Sequence, residues 1–122
     1  MASAAAPTQK AAEAALASSQ DCVAEAAAIF RRRRDVLLQV LGNTGLMLAE
    51  PDGAFYALVG IGDRHPDSTT FAKALIAERK VATVPGLTFG PSCDKAVRVA
   101  FTIDDEVLRQ GLEILRDYVE GG

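Results

Sequence analysis

Large apolar side chains are nearly missing from the first 28 residues, where thirteen positions are alanine and only Met1, Leu16 and Val23 are bulkier hydrophobes. Alanine favours helix because it gives up no side-chain entropy. This stretch is therefore expected to be helical yet unable to build a core of its own. Pro7 stands near the start of one helix over 7–19, and SSQD at 18–21 breaks it from a second. In that second helix Val23, Ala27, Phe30, Leu37 and Leu41 recur at helical spacing, and Gly42 is the expected stop.

From residue 46 the texture changes to strands alternating with helices. Strands expected over 46–49 and 54–59 flank EPDG, a turn with proline second and glycine fourth, so they form an antiparallel pair. Asp67 or Ser68 caps a helix reaching Arg79, with Phe71, Leu75 and Ile76 on one side. A short strand over 81–84 leads through the loop 85–94 to a strand over 96–102. Asp104 caps a final helix in which Leu108, Leu112, Leu115 and Val119 form one stripe, and Gly121 and Gly122 end it. The fold class expected is α+β: two N-terminal helices, then β-β-α-β-β-α forming a small mixed sheet covered by helices.

One position in this pattern stands out. Within AVRVA, residues 96–100, a strand puts Val97, Val99 and Phe101 on one face and Ala96, Arg98 and Ala100 on the other. Two alanines beside an arginine leave space next to the guanidinium, which suits an approaching anion. Equally, the arginine can lay its stem across the alanines and keep its head in water.

Composition narrows the classes. At 122 residues and 49% hydrophobic, the chain is one domain in size. A net charge of −3 gives no general attraction to nucleic acid or anionic membrane. Arg31 to Arg34 lie consecutively in a helix, where each residue turns by about 100°, so they cannot form one basic face; an Arg31–Asp35 pair on a solvated surface is expected instead. Cys22, Cys93 and a single histidine, His65, show no ligand spacing, so no metal site or disulfide is expected. There is no membrane-length apolar run and no signal-peptide pattern, which points to a cytoplasmic protein.

Local motifs with catalytic associations do not survive inspection. GIGDRH at 60–65 has His65 where a dinucleotide fingerprint needs its third glycine. SCDK at 92–95 runs into a strand rather than opening a helix. His65 is expected to be an exposed loop residue, and Tyr56 and Tyr118 to be packing residues with a wet hydroxyl.

The order of segments does resemble a family. QKAAEAAL, CVAEAAAIFRRRRDVLLQVL, EPDGAFYAL, STTFAKALIAERKVATVPGLTFGP, AVRVAFT and LRQGLEIL, spaced from Ser3 to Val119, together resemble the C-terminal, small-domain part of class I/II pyridoxal-phosphate aminotransferases. The resemblance implies a remnant of the large domain over 1–20, an interdomain helix over 21–45 and the small domain over 46–122. It places the substrate α-carboxylate on Arg98, with Phe55 and Tyr56 near the substrate entrance. Amino acids and 2-oxo acids are the implied substrates, pyridoxal 5'-phosphate the cofactor and a homodimer the intact enzyme. Neither nucleic acid nor membrane is implied as a partner. Family members also hold the cofactor on a lysine in a segment that this sequence does not match. Lys10, Lys73, Lys80 and Lys95 lack that context, so no residue here is expected to be catalytic or to bind the cofactor. The alternative is a non-enzymatic α+β module that binds an amino acid through the Arg98 face or serves oligomerisation.

Overall fold

The computed structural model describes residues 3–121, so Met1 and Gly122 lie outside the described residues. Helix α1 (Ala6–Ala17) has Pro7 in its first turn and buries none of its residues. Helix α2 (Asp21–Leu41) follows after the expected break and buries only Val36, Leu37, Val40 and Leu41, all near its C-terminal end. Val23, expected on the packing side, is 59% exposed, as the N-terminal half of α2 has no buried residue. Gly42 ends the helix, its N–H bonding the Leu38 carbonyl.

Strand β1 (Tyr56–Gly60) starts later than expected because Ala54 has φ 57, a left-handed conformation that no strand continues. Its expected partner over 46–49 shrinks to one antiparallel bridge, Met47 to Val59. Hydrogen bonds from Leu48 N to Leu58 O and from Gly60 N to Leu46 O flank it. Helix α3 (Ser68–Arg79) is capped by Asp67, whose carboxylate accepts from the Thr70 N–H at 2.7 Å. That bond holds the Asp67 carboxyl below the usual aspartate range. Phe71 and Leu75 are buried, whereas Ile76 points out and is 49% exposed. Lys80, in the left-handed region at φ 61, closes the helix.

The strand expected over 81–84 is observed only as β2 (Val84–Pro85). Residues 81–83 instead line a cavity of about 80 Å³ with Val99, Leu108 and Leu112. Two 3₁₀ turns, Gly86–Phe89 and Pro91–Cys93, carry the chain to β3 (Ala96–Ala100). Strand β3 lies between the other two, antiparallel to both. Strands β1 and β2 therefore run the same way and are joined through α3 in a split βαβ unit. Hence the α+β class is observed, but the sheet is antiparallel throughout rather than mixed: the parallel neighbours that α3 connects are kept apart by β3.

Helix α4 (Asp105–Glu120), capped by Asp104, buries Leu108, Leu112, Leu115 and Val119 as its spacing predicts. These join Leu37, Leu41, Phe71, Leu75, Ala57, Val59, Val97, Val99 and Phe101 in one core cluster. The helices thus cover the face of β3 that carries its valines. Among the described residues no helix is long and apolar enough to cross a membrane.

Two expectations follow. Because α1 buries nothing, amides of residues 8–17 in a monomeric preparation should exchange with solvent far faster than those of 97–101; equal protection would show that α1 is covered within the chain. Gly111 lies inside α4, where an added Cβ meets nothing within 4 Å. Gly111→Ala should therefore stabilise the chain by about 1 kcal/mol in urea titration. A Cβ at Gly86 would overlap the carbonyl oxygens of Cys93 and Ala96, so Gly86→Ala should destabilise it instead. If both substitutions moved stability in the same direction, the packing described here would be wrong.

Candidate functional site

Cross-strand register sets the environment of Arg98. In the β1–β3 pair, Leu58 lies opposite Arg98 and Tyr56 opposite Ala100, which makes Tyr56 a diagonal neighbour of Arg98 on the same face. Ala100 has no bulk to hold the tyrosine ring away. The Tyr56 ring therefore leans across, and the Arg98 guanidinium carbon sits 4.1 Å from its centroid. Phe89, from the first 3₁₀ turn, stands 4.9 Å from the same carbon. Such cation–π contacts contribute about 0.5–2 kcal/mol each, more as water is excluded.

Arg98 is half-buried, and its Nε is buried with no hydrogen-bond partner. No carboxylate of the described residues pairs with it. A desolvated guanidinium without a counter-ion is costly unless an anion completes it. Its planar fork matches a carboxylate with two parallel hydrogen bonds.

Of the three residues expected at the site, Tyr56 and Arg98 come together. Phe55 turns the other way: its ring packs 5.6 Å from Phe30 of α2 and joins the margin of the core. It touches the site only through its neighbour, with the Phe55 and Tyr56 rings 4.5 Å apart. Phe89 was not singled out from the sequence. The signal available was its place as the sole aromatic residue in the loop leading into β3.

The loop carrying Phe89 is fastened to α3. Ser68 is fully buried; its hydroxyl donates to Asp94 Oδ1 at 2.8 Å and accepts from the Leu87 N–H at 3.1 Å. The Ser68 N–H also donates to Asp94 Oδ1 at 3.1 Å.

Other side chains singled out in the sequence lie elsewhere. His65 is half-buried rather than exposed, stacked 5.6 Å from the Tyr118 ring and edge-on to Phe71 at 4.7 Å. Tyr118 donates its hydroxyl to Glu78 at 3.1 Å, and burial together with that carboxylate raises its pKa. Arg32 bonds Asp105, and Arg33 reaches the same carboxylate at 3.5 Å. The Arg32 hydrogen bond holds Asp105 below the usual aspartate range. Arg34 pairs with Glu50 at 2.5 Å and lies 3.8 Å from Asp35, which displaces the expected Arg31–Asp35 pair. Both cysteines are free, and no group of three or more His, Cys, Asp or Glu among the described residues is placed to hold a metal.

A helix-backed antiparallel sheet thus carries, on the face away from the core cluster, an arginine beside two aromatic rings and with no acidic partner among the described residues. The sequence matches the family described as aminotransferase class I and II over residues 1–115, and the chain belongs to that family. It is 38% identical over 108 residues to the glutamate-pyruvate aminotransferase AlaC of Escherichia coli, covering 87% of this chain and 26% of that protein. To the aspartate/prephenate aminotransferase of Thermus thermophilus it is 40% identical over 84 residues, 69% of this chain and 21% of that protein. The structure is similar to that of an aromatic aminotransferase from Pyrococcus horikoshii, with a TM-score of 0.73 and 30% identity over 82% of this chain and 27% of that one. The apo structure of BacF from Bacillus subtilis gives a TM-score of 0.80 at 25% identity, over 90% and 28% respectively. The chain spans about a quarter of the length of the curated relatives it matches.

Full-length members of this family use pyridoxal phosphate. Four lysines are described in this chain. All four are exposed. Lys10 pairs with Glu13 at 2.6 Å, Lys80 donates to the Ala77 carbonyl at 2.7 Å, and Lys95 donates to the His65 carbonyl at 2.7 Å. Lys73 lies on the outer side of α3.

Proposed function

We propose that this chain is the C-terminal small-domain portion of a pyridoxal-phosphate aminotransferase that moves an amino group between an amino acid and a 2-oxo acid, and that Arg98 binds the substrate α-carboxylate. The observation that carries this reading is the half-buried Arg98 guanidinium held between Tyr56 and Phe89 with no acidic partner. Both substrates of the reaction carry a carboxylate beside the reacting carbon. A fixed fork on that carboxylate orients the carbon toward the cofactor in both half-reactions. Tyr56 and Phe89 lie beside the guanidinium and supply no acceptor for its N–H groups, which leaves those groups for a ligand.

Residues 1–20 and the exposed half of α2 belong, in this reading, against a large domain; 21–45 form the interdomain helix and 46–122 the small domain. The lysine that holds the cofactor comes from a segment outside these 122 residues. By the same family reading the intact enzyme is a cytoplasmic homodimer.

Two measurements test the proposal. Arg98→Leu in the intact enzyme removes a charge-assisted bidentate contact, which should lower kcat/KM for amino acids by roughly 30- to 1000-fold. The decarboxylated amine should lose far less, and Arg98→Lys should be impaired as well because a point charge cannot reproduce the fork. Equal losses for amino acid and amine would reduce Arg98 to a structural residue. For the 122-residue chain alone, pyridoxal phosphate followed by borohydride should label no single lysine stoichiometrically. Near-complete labelling at one of Lys10, Lys73, Lys80 or Lys95 would show that the cofactor lysine is in this chain.

A further inference from the structure

The loop between β2 and β3 is closed into a ring of hydrogen bonds. The Leu87 N–H donates to the Ser68 hydroxyl at 3.1 Å, and the Leu87 carbonyl accepts from the Gly90 N–H at 3.1 Å. The Gly90 carbonyl accepts from Cys93 N–H at 3.0 Å, and Pro91 O accepts from Asp94 N–H at 3.2 Å. Asp94 then completes the circuit by accepting from both the N–H and the hydroxyl of Ser68. Phe89 sits between two tethered positions of this ring, Leu87 and Gly90. Gly86 closes the loop's waist against the backbone of Cys93 and Ala96, where no side chain fits.

Ser68 is the one buried polar residue among the described residues, at 0% exposure. Buried hydroxyls are retained where their hydrogen bonds are complete, and this one is used both as donor and as acceptor. It is the first residue of α3, so the ring is anchored to a helix packed in the core rather than to solvent-exposed backbone. The Phe89 ring itself is 47% exposed, and its own packing is too open to fix it on Arg98. The fixing comes from the backbone on either side.

We propose that Ser68 and Asp94 are positioning residues for substrate recognition: their clasp holds Phe89 on the Arg98 guanidinium and so sets the direction of the carboxylate-binding fork. Neither residue touches the substrate. The clasp rests on the reading of Arg98 as the carboxylate ligand, yet it makes a claim about Arg98 that can be read without turnover. The Arg98 Nε is buried and its guanidinium carbon lies 4.1 and 4.9 Å from the Tyr56 and Phe89 ring centroids, so the Nε–H resonance should be displaced by ring currents and its exchange with water slowed.

The test uses Asp94→Ala and Asp94→Asn. Asparagine keeps an oxygen at the same place and can accept both Ser68 bonds without the charge; alanine cannot. In nitrogen-15-labelled 122-residue chain, Asp94→Ala should move the Arg98 Nε–H resonance toward that of free arginine and speed its exchange, while Asp94→Asn should leave it near the wild-type position. In the intact enzyme Asp94→Ala should raise KM for amino acids about fivefold with kcat little changed, and Asp94→Asn should restore it. Ser68→Ala breaks the same ring from the helix side and is read in the same way should Asp94→Ala not fold. A folded Asp94→Ala or Ser68→Ala chain whose Arg98 resonance does not move overturns the clasp, whatever the kinetics. A resonance that moves while amino acid and decarboxylated amine lose equally supports the clasp and overturns the carboxylate reading.

Discussion

The insertion of β3 between β1 and β2 is the constraint on which the remaining geometry depends. Both hydrogen-bonding edges of β3 are used, by β1 over its whole length and by β2 at Arg98 and Val97. Its side chains alone are free to choose a surrounding, and alternation divides them into a dry face under the helices and a face with Arg98 at its centre. A slip of one residue would turn Arg98 into the core and Val97 and Val99 out of it. Burying an unpaired guanidinium there would cost several kcal/mol. The charge that makes the site therefore also protects the register that presents it.

Arg98 is partnered differently from other arginines of the chain. Arg32 and Arg33 share Asp105, Arg34 meets Glu50, Arg109 meets Gln39, and Arg116 meets Asp117. Each of those heads has an oxygen nearby, although the buried Arg33 Nε, 3.5 Å from Asp105, makes no hydrogen bond. Arg98 has aromatic faces instead, which attract its charge but leave its N–H groups without acceptors. Aromatic rings attract a guanidinium without supplying an acceptor for its N–H groups. They can therefore hold the group still while leaving its hydrogen-bonding edge for a ligand.

Much of this was legible in the sequence, and the exceptions have physical causes. The α4 stripe and the α3 cap depend on short-range spacing, and both appear as expected. The two faces of β3 follow from alternation alone. Strand β1 begins at Tyr56 rather than 54 because Ala54 adopts a left-handed backbone that its residue type does not announce, and its partner over 46–49 is reduced to the Met47 bridge. The short β2 and the antiparallel sheet depend on where the chain lies after α3, which is a tertiary matter. His65 packs on Tyr118 across a long sequence separation, so its polar neighbours along the chain suggested the wrong environment. The Ser68–Asp94 clasp spans 26 residues. Neither residue type nor local spacing marks it, and only the folded loop brings the two together.

The arginine quartet in α2 shows how the same site is tied to the rest of the chain. Successive residues on a helix point about 100° apart, so the heads diverge, and those of Arg32 to Arg34 reach two separate parts of the chain. Arg32 and Arg33 grip the first turn of α4 at Asp105, where a carboxylate also suits the helix N-terminus. Arg34 holds the segment before β1 by Glu50 and by the Pro51 carbonyl at 2.6 Å. Exposed ion pairs of this kind contribute little to stability, about 0–1 kcal/mol each. Their effect is directional. Arg34 fixes the approach to Phe55, Phe55 is wedged on Phe30 of the same helix, and the adjoining Tyr56 forms one face of the Arg98 cradle. A rotation of α2 relative to the sheet would thus reach the Arg98 guanidinium through two aromatic contacts, just as a loosening of α3 would reach it through Ser68 and the Phe89 loop.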